Sequence, residues 1–164
     1  MNTAIYTEKV SSKRTEVLFV AMTFLCCVLF AWRAFVVGIA PSTIILFCLF
    51  SLFLFYSINY RVLVIRVTPR FIELRFGIFS WSIALDSIEH CYLDDASLWR
   101  ITGAGIHFTC RRKRYRAMFN FLEHQRVVLL LSRKKGLVRE IAFSTRQPDE
   151  VMRIITTLLP PQES

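Results

Sequence analysis

Two long stretches without a single charge constrain this chain more than any other feature. Val17 to Trp32 reads VLFVAMTFLCCVLFAW, and Thr43 to Tyr60 reads TIILFCLFSLFLFYSINY. Arg33 interrupts the first stretch before AFVVGIA carries it on to Ala40. A hydrocarbon core of about 30 Å takes roughly 20 apolar residues as a helix. The second stretch nearly meets that length. The first meets it when Arg33 reaches out to the headgroups near its far end. Inside a soluble fold, helices apolar all round need another layer to cover them, and the rest of the chain reads mostly as strand. A cleaved leader is the other reading of the first stretch. A second, equally apolar stretch close behind it favours a retained hairpin.

Gly38 and Pro41 break the helical pattern, with Ser42 and Thr43 as polar punctuation, so the two helices should be antiparallel neighbours. Lys9, Lys13 and Arg14 precede the first span, and Arg61, Arg66 and Arg70 follow the second. Only Arg33 lies near the joint. The positive-inside rule then places both termini of a multi-pass membrane protein in the cytoplasm. Trp32, Tyr56 and Tyr60 fall near the expected interfaces, as an aromatic belt or as ordinary lipid-facing rings. The expected organisation is a cytoplasmic segment over 1–16, a transmembrane hairpin over 17–60 with helices at about 17–38 and 42–60, a cytoplasmic domain over 61–159 and a tail over 160–164.

Composition agrees with this division. Hydrophobic types make up 54 % of the 164 residues and charged types 20 %, which excludes a disordered chain. The length excludes a large multidomain enzyme. Lys and Arg exceed Asp and Glu by 21 to 12, for a net charge of +9. Such an excess suits nucleic acid or an anionic membrane surface, and the apolar stretches favour the membrane. The five cysteines include no CxxC pair. An odd count without that spacing points away from a disulfide framework and towards a reducing compartment.

After Tyr60 the period changes. Ile72, Leu74 and Phe76 alternate with Glu73 and Arg75, and Phe79, Trp81, Ile83 and Leu85 alternate with Ser80, Ser82 and Ala84. Two-residue alternation predicts half-buried strands. Pro69 and Gly77 separate strands, and Gly103 and Gly105 precede another, in which Ile106, Phe108 and Cys110 alternate. Val127 to Leu131 is a continuous apolar strand, and Leu137 to Phe143 returns after a turn at Arg133-Lys134-Lys135-Gly136. Pro148, Asp149 and Glu150 suit a helix start, and Val151, Ile154, Ile155 and Leu158 form one apolar stripe. About seven short strands and one terminal helix suggest an antiparallel barrel or sandwich.

Several landmarks in this order resemble one family. They are Val67-Thr68-Pro69 leading into Phe71 to Phe76, Gly77-Ile78 with a strand to Leu85, Asp86-Ser87-Ile88-Glu89, Gly103-Ala104-Gly105-Ile106, and Ile141 to Thr145 followed by Pro148 and the helix. From about residue 15 to 159 the chain resembles the bacterial PH-like membrane proteins. The resemblance implies two transmembrane helices followed by a PH-like antiparallel split β-barrel with a C-terminal α-helix, an α+β membrane protein. It implies little chemistry.

The strongest local signal is Arg111-Arg112-Lys113-Arg114-Tyr115-Arg116, followed by Met118, Phe119, Phe121 and Leu122. Each cation near an anionic leaflet contributes about 1 kcal/mol. The run reads either as a lipid or partner surface or as a solvated strand edge kept soluble by charge. Nucleic acid is a weaker partner for it, because the anchor already brings anionic phosphate close. Arg66, Arg70 and Arg75 lie where phosphoinositide-binding PH domains carry cations, but without those domains' spaced pattern. His107 with Cys110 and His90 with Cys91 have ligand-like spacings, yet strand residues three apart face opposite ways, so no metal or cofactor is expected. Asp94, Asp95 and Glu89 come without a nucleophile or an oxyanion motif, so no catalytic residue is expected. Arg33 either snorkels to headgroups or pairs with a partner membrane protein. Cys26, Cys27 and Cys48 read as apolar fillers, with reversible acylation the alternative. The expected function is a non-enzymatic membrane-anchored interaction module, contacting anionic lipid, a protein partner or a second copy of itself. The alternative is an accessory or assembly subunit of a larger membrane complex, and a membrane-associated enzyme is the third reading.

Overall fold

A computed structural model describes residues 3–94, 105–111, 114–121, 123–132 and 137–159. The chain divides into two compact units: Lys13–Arg61, and a second unit built from Met1–Ser12 together with Val62–Ser164.

The first unit is a helical pair, α1 (Lys13–Val37) and α2 (Pro41–Asn59). Both have the length and composition to cross a membrane, with mean hydropathies of 2.2 and 2.0 and only 6 % of each apolar window buried. α1 starts four residues before the expected boundary, because Lys13 to Glu16 continue the helical backbone ahead of the apolar stretch. It stops where Gly38 adopts φ 76°, a left-handed conformation that favours glycine. Pro41 then opens α2 at its first turn, where a missing N–H costs nothing. The helices are antiparallel neighbours. Phe30 meets Phe47 at 5.4 Å and Phe19 meets Tyr56 at 5.6 Å between ring centroids. Thr23 Oγ1 and Ser57 Oγ share a hydrogen bond at 3.0 Å, and Arg61 pairs with Glu16 at the open end.

The second unit holds two sheets. The first has the order β1-β2-β3-β4, all antiparallel, from Tyr6–Ser11, Val62–Val67, Phe71–Phe76 and Phe79–Ala84. β1 corrects the expectation that residues 1–16 are only a leading segment. It is a strand of the domain itself, paired with β2 from Tyr6↔Val67 to Ser11↔Val62. The helical pair is therefore inserted between two register partners of one sheet. The sequence hides β1 because it carries little apolar alternation, and of its side chains only Val10 is fully buried. Along β3, Ile72, Leu74 and Phe76 are buried as expected. β4 is an edge strand, and among its alternating apolar residues only Ile83 is buried.

A single 3-10 turn, Leu85–Ser87, leads to β5 (Ile88–Leu93). The second sheet has the order β5-β8-β9-β7-β6, with β6 at Gly105–Arg111, β7 at Arg114–Asn120, β8 at Arg126–Leu131 and β9 at Val138–Ser144. This makes nine strands among the described residues rather than about seven. The sheet is also not wholly antiparallel. β9 inserts between β8 and β7, and its pairing with β7 is parallel. The expected turn Arg133 to Gly136 lies outside the described residues. The α+β class thus holds, with two sheets rich in antiparallel pairs.

The inner faces meet in a phenylalanine core. Phe76 stacks on Phe119 at 6.3 Å and meets Phe121 edge-on at 5.2 Å. Helix α3 (Pro148–Leu158) buries Val151 and Ile155 and packs on β5 and β8. Glu8 ties β1 to the start of α3. It accepts hydrogen bonds from Thr145 Oγ1 at 2.6 Å, the Arg146 backbone N–H at 2.9 Å and Tyr6 Oη at 3.1 Å.

Candidate functional site

The described residues of the basic run lie on two antiparallel strands, β6 and β7. Arg111 and Arg114 are register partners, as are Cys110 and Tyr115, and Thr109 and Arg116. Arg112 and Lys113 lie outside the described residues. The alternation expected for Ile106, Phe108 and Cys110 is present, but its face is not a buried one at this end. Phe108 is 61 % exposed and Tyr115 54 %. The opposing sheet supplies Trp81, whose ring lies 6.1 Å from Phe108 and 6.0 Å from Phe119.

Arg116 departs from the surface role expected of it. The strand period turns it onto the other face, where it is only 5 % exposed. Its Nε donates to Glu140 Oε2 at 2.7 Å, Nη2 pairs with the same oxygen at 2.6 Å, and Nη1 donates to Asp94 Oδ2 at 3.1 Å. Arg126 Nη2 reaches Asp94 Oδ2 at 3.3 Å. The Tyr92 hydroxyl accepts from Arg116 Nη2 at 3.4 Å. Among the described residues, two guanidinium groups and two carboxylates thus form one buried network. Burial pushes the Tyr92 phenol above its ordinary value, with the Glu140 charge adding to the effect. Hydrogen bonding and charge from Glu140 outweigh burial and raise Arg116 further above its ordinary value.

The register explains the gathering. Arg116↔Glu140, Met118↔Ala142 and Val128↔Ala142 stack one face across β7, β9 and β8, and Tyr92↔Val128 extends it to β5. Met118, Val128 and Ala142 form a small apolar cluster under Tyr92 beside the charges. His107, opposite Met118, joins this face. Burial lowers its pKa below the ordinary value, the Gly105 backbone opposes that shift, and the Arg126 charge adds to it. Neither ring nitrogen has a hydrogen-bond partner of full geometry among the described residues.

Sequence reasoning missed Arg126, which meets Asp94, and Glu140, which meets Arg116. The available signal was one charge, Arg126 or Glu140, in each of two strands whose buried positions are otherwise mostly apolar. The remaining candidates do not converge on one site. His90 is exposed and stacks on Tyr92 at 6.3 Å, while Cys91 turns inward to Thr156 Oγ1 at 3.4 Å. Asp95 lies outside the described residues. Arg66 faces Glu73 at 3.9 Å, Arg75 donates to the Gly77 carbonyl, and Arg70 is exposed. Among the described residues no group of His, Cys, Asp and Glu converges to hold a metal. A groove of about 340 Å³ opens along edge strand β4, lined by Trp81, Ile83, Ser87, Leu131, Leu137 and Val138 among others. In the helical unit, Arg33 Nε donates to Ser42 Oγ at 3.2 Å.

No family model, curated protein or solved structure matches the chain. Its own geometry defines an α+β protein in which an apolar helical pair interrupts a two-sheet unit. In the sheet unit, exposed Phe108 and Tyr115 lie on the β6–β7 pair, and Arg116 of the same pair belongs to a buried ion network.

Proposed function

We propose that the chain is a non-enzymatic interaction module of PH-like build, anchored in the inner membrane by its helical hairpin, with both termini cytoplasmic. The observation that carries this is the pair of long helices with 6 % of each apolar window buried. That much apolar surface at about 25 cal/mol per Å² is tolerable only in contact with lipid or protein. A four-stranded antiparallel meander, a second sheet and a terminal helix packed on it support the PH-like reading. Lys9, Lys13 and Arg14 ahead of the apolar stretch of α1, and Arg61 just after α2, support the orientation.

In this reading the β6–β7 tip, with Arg111, Arg112, Lys113 and Arg114, meets the anionic leaflet, and Tyr115 and Phe108 supply the interfacial rings. Four cations at about 1 kcal/mol each suffice for reversible docking of an already tethered unit. Arg116 plays no part in that surface. Cys110 is exposed on the same pair of strands and reports on docking. In full-length protein reconstituted in vesicles, an impermeant maleimide should label Cys110 more slowly with anionic than with zwitterionic lipid, and high salt should erase the difference. Equal labelling under all four conditions refutes lipid docking. Release of the protein by carbonate washing refutes the anchor.

One observation favours contact with a protein instead. Leu137 is 82 % exposed and Ile78 72 %, and Leu137 lines the groove along β4. An accessory subunit of a larger complex would cover such surface. Mild-detergent extraction followed by crosslinking and size analysis discriminates, because a monodisperse monomer argues against the accessory role.

A further inference from the structure

We infer that the turn end of the helical hairpin binds one phospholipid, with Arg33 as the ligand for its phosphate and the adjoining groove as the seat for an acyl chain. The inference rests on the anchoring reading above.

Arg33 carries the only charge between Val17 and Tyr60. Twenty residues of continuous helix separate it from Lys13. At about 1.5 Å per residue the rise is about 30 Å, which matches the thickness of a hydrocarbon core. With Lys13 at one headgroup layer, Arg33 stands at the other. The turn end holds no acidic residue, and the first turn of α2 carries none either. The hairpin's only carboxylate, Glu16, is committed to Arg61 at the open end. The Arg33 charge therefore has no counter-ion within the unit, and a low-dielectric boundary makes an unpaired charge costly. The abundant anion at that depth is the lipid phosphodiester.

The local geometry suits that ligand. Ser42 holds the Nε edge of the guanidinium at 3.2 Å. Arg33 makes no other hydrogen bond among the described residues, which leaves both Nη groups for phosphate oxygens, the fork geometry that favours Arg at such sites. Beside it lies a cavity of about 230 Å³ lined by Leu29, Trp32, Arg33, Val36 and Leu46. Trp32 is 67 % exposed, as expected of a ring at the interface. A guanidinium at the rim of an otherwise apolar groove fits an amphiphile whose anion sits directly above its chains. It fits neither a free anion, which has no use for the groove, nor a neutral lipid.

The test uses the purified full chain in mild non-ionic detergent, with native mass spectrometry counting retained phosphatidylglycerol and, separately, diacylglycerol of the same chains. Phosphatidylglycerol should saturate at one molecule per chain, and diacylglycerol should not be retained. Arg33→Gln should weaken retention at least about tenfold, the scale of losing one charge-assisted paired contact. Val36→Trp fills the groove, leaves the charge in place, and should weaken retention as well. Helicity by circular dichroism shows that each variant is folded. If Arg33→Gln misfolds, Val36→Trp decides alone. Equal retention by wild type and folded variants, or equal retention of both lipids, overturns the site. Co-purification of a membrane protein that is lost on Arg33→Gln, without lipid loss, also overturns it in favour of a protein counter-ion. Carbonate extraction of the same chain tests the anchor separately, so the two failures are distinct.

Discussion

Glu140 and Arg116 provide the sharpest test of how the sheet unit is held together. Arg116 gives both Nε and Nη2 to Glu140 Oε2, and all four charged groups of the network are less than a tenth exposed. Deleting the Glu140 carboxylate takes from the buried Arg116 the acceptor of its Nε and Nη2, and Arg cannot shed its charge by losing a proton. Stranding a buried charge costs about 3–5 kcal/mol. Glu140→Met should therefore lower the urea midpoint of the sheet unit by about 1–5 M, for a slope of about 1–3 kcal/mol per M. Arg116→Met strands a carboxylate instead, which can bind a proton, so its deficit should be smaller and should shrink as pH is lowered. The double substitution keeps the Asp94–Arg126 contact and should return to within about 2 kcal/mol of wild type, since apolar replacement of a whole buried pair is often near neutral. Full-length protein in mild detergent, followed by tryptophan fluorescence, gives all four midpoints. Additive effects, or single substitutions that each cost under about 1 kcal/mol, the range of an exposed pair, would refute the reasoning.

Other expectations follow from the same structure. Because Ser11 and Val62 are register partners, replacing residues 12–61 with Asn-Gly should close a two-residue β-hairpin and yield a unit that stays in solution without detergent. Aggregation of that protein would mean that the sheets need the helices. Glu8→Ala removes the acceptor for Thr145 and Arg146 and should cost about 1.5–3 kcal/mol, the range for hydrogen bonds to a charged group; an unchanged urea midpoint counts against the tie between β1 and α3. For His107 the folded pKa lies below the unfolded value of about 6.5. Its neutral form is favoured in the fold, so stability should fall as pH drops below about 6.5, and His107→Phe should flatten that part of the profile. For Tyr92 the folded pKa is raised. Its contribution is complete below about pH 10 and lost as pH rises through the folded value, so Tyr92→Phe should blunt alkaline unfolding.

Features with a strong local period are legible along the chain alone. Uncharged runs long enough for a helix, Gly38 and Pro41 between them, the alternation of Ile72, Leu74 and Phe76, and the stripe of Val151 and Ile155 on α3 are one-dimensional signals, because helix and strand periods are set by the backbone alone. Tertiary structure decided whatever depends on which strands lie side by side. β1 is a strand because β2 pairs with it, and its own residues barely say so. Arg116 looks like its basic neighbours in the sequence. It is buried because β9 comes in parallel beside β7 and sets Glu140 opposite it, with Arg126 arriving from β8 and Asp94 from the residue after β5. A charge is stable inside only where its partners converge, and residues 94, 116, 126 and 140 are brought together by the ladder of the second sheet, which no local pattern encodes.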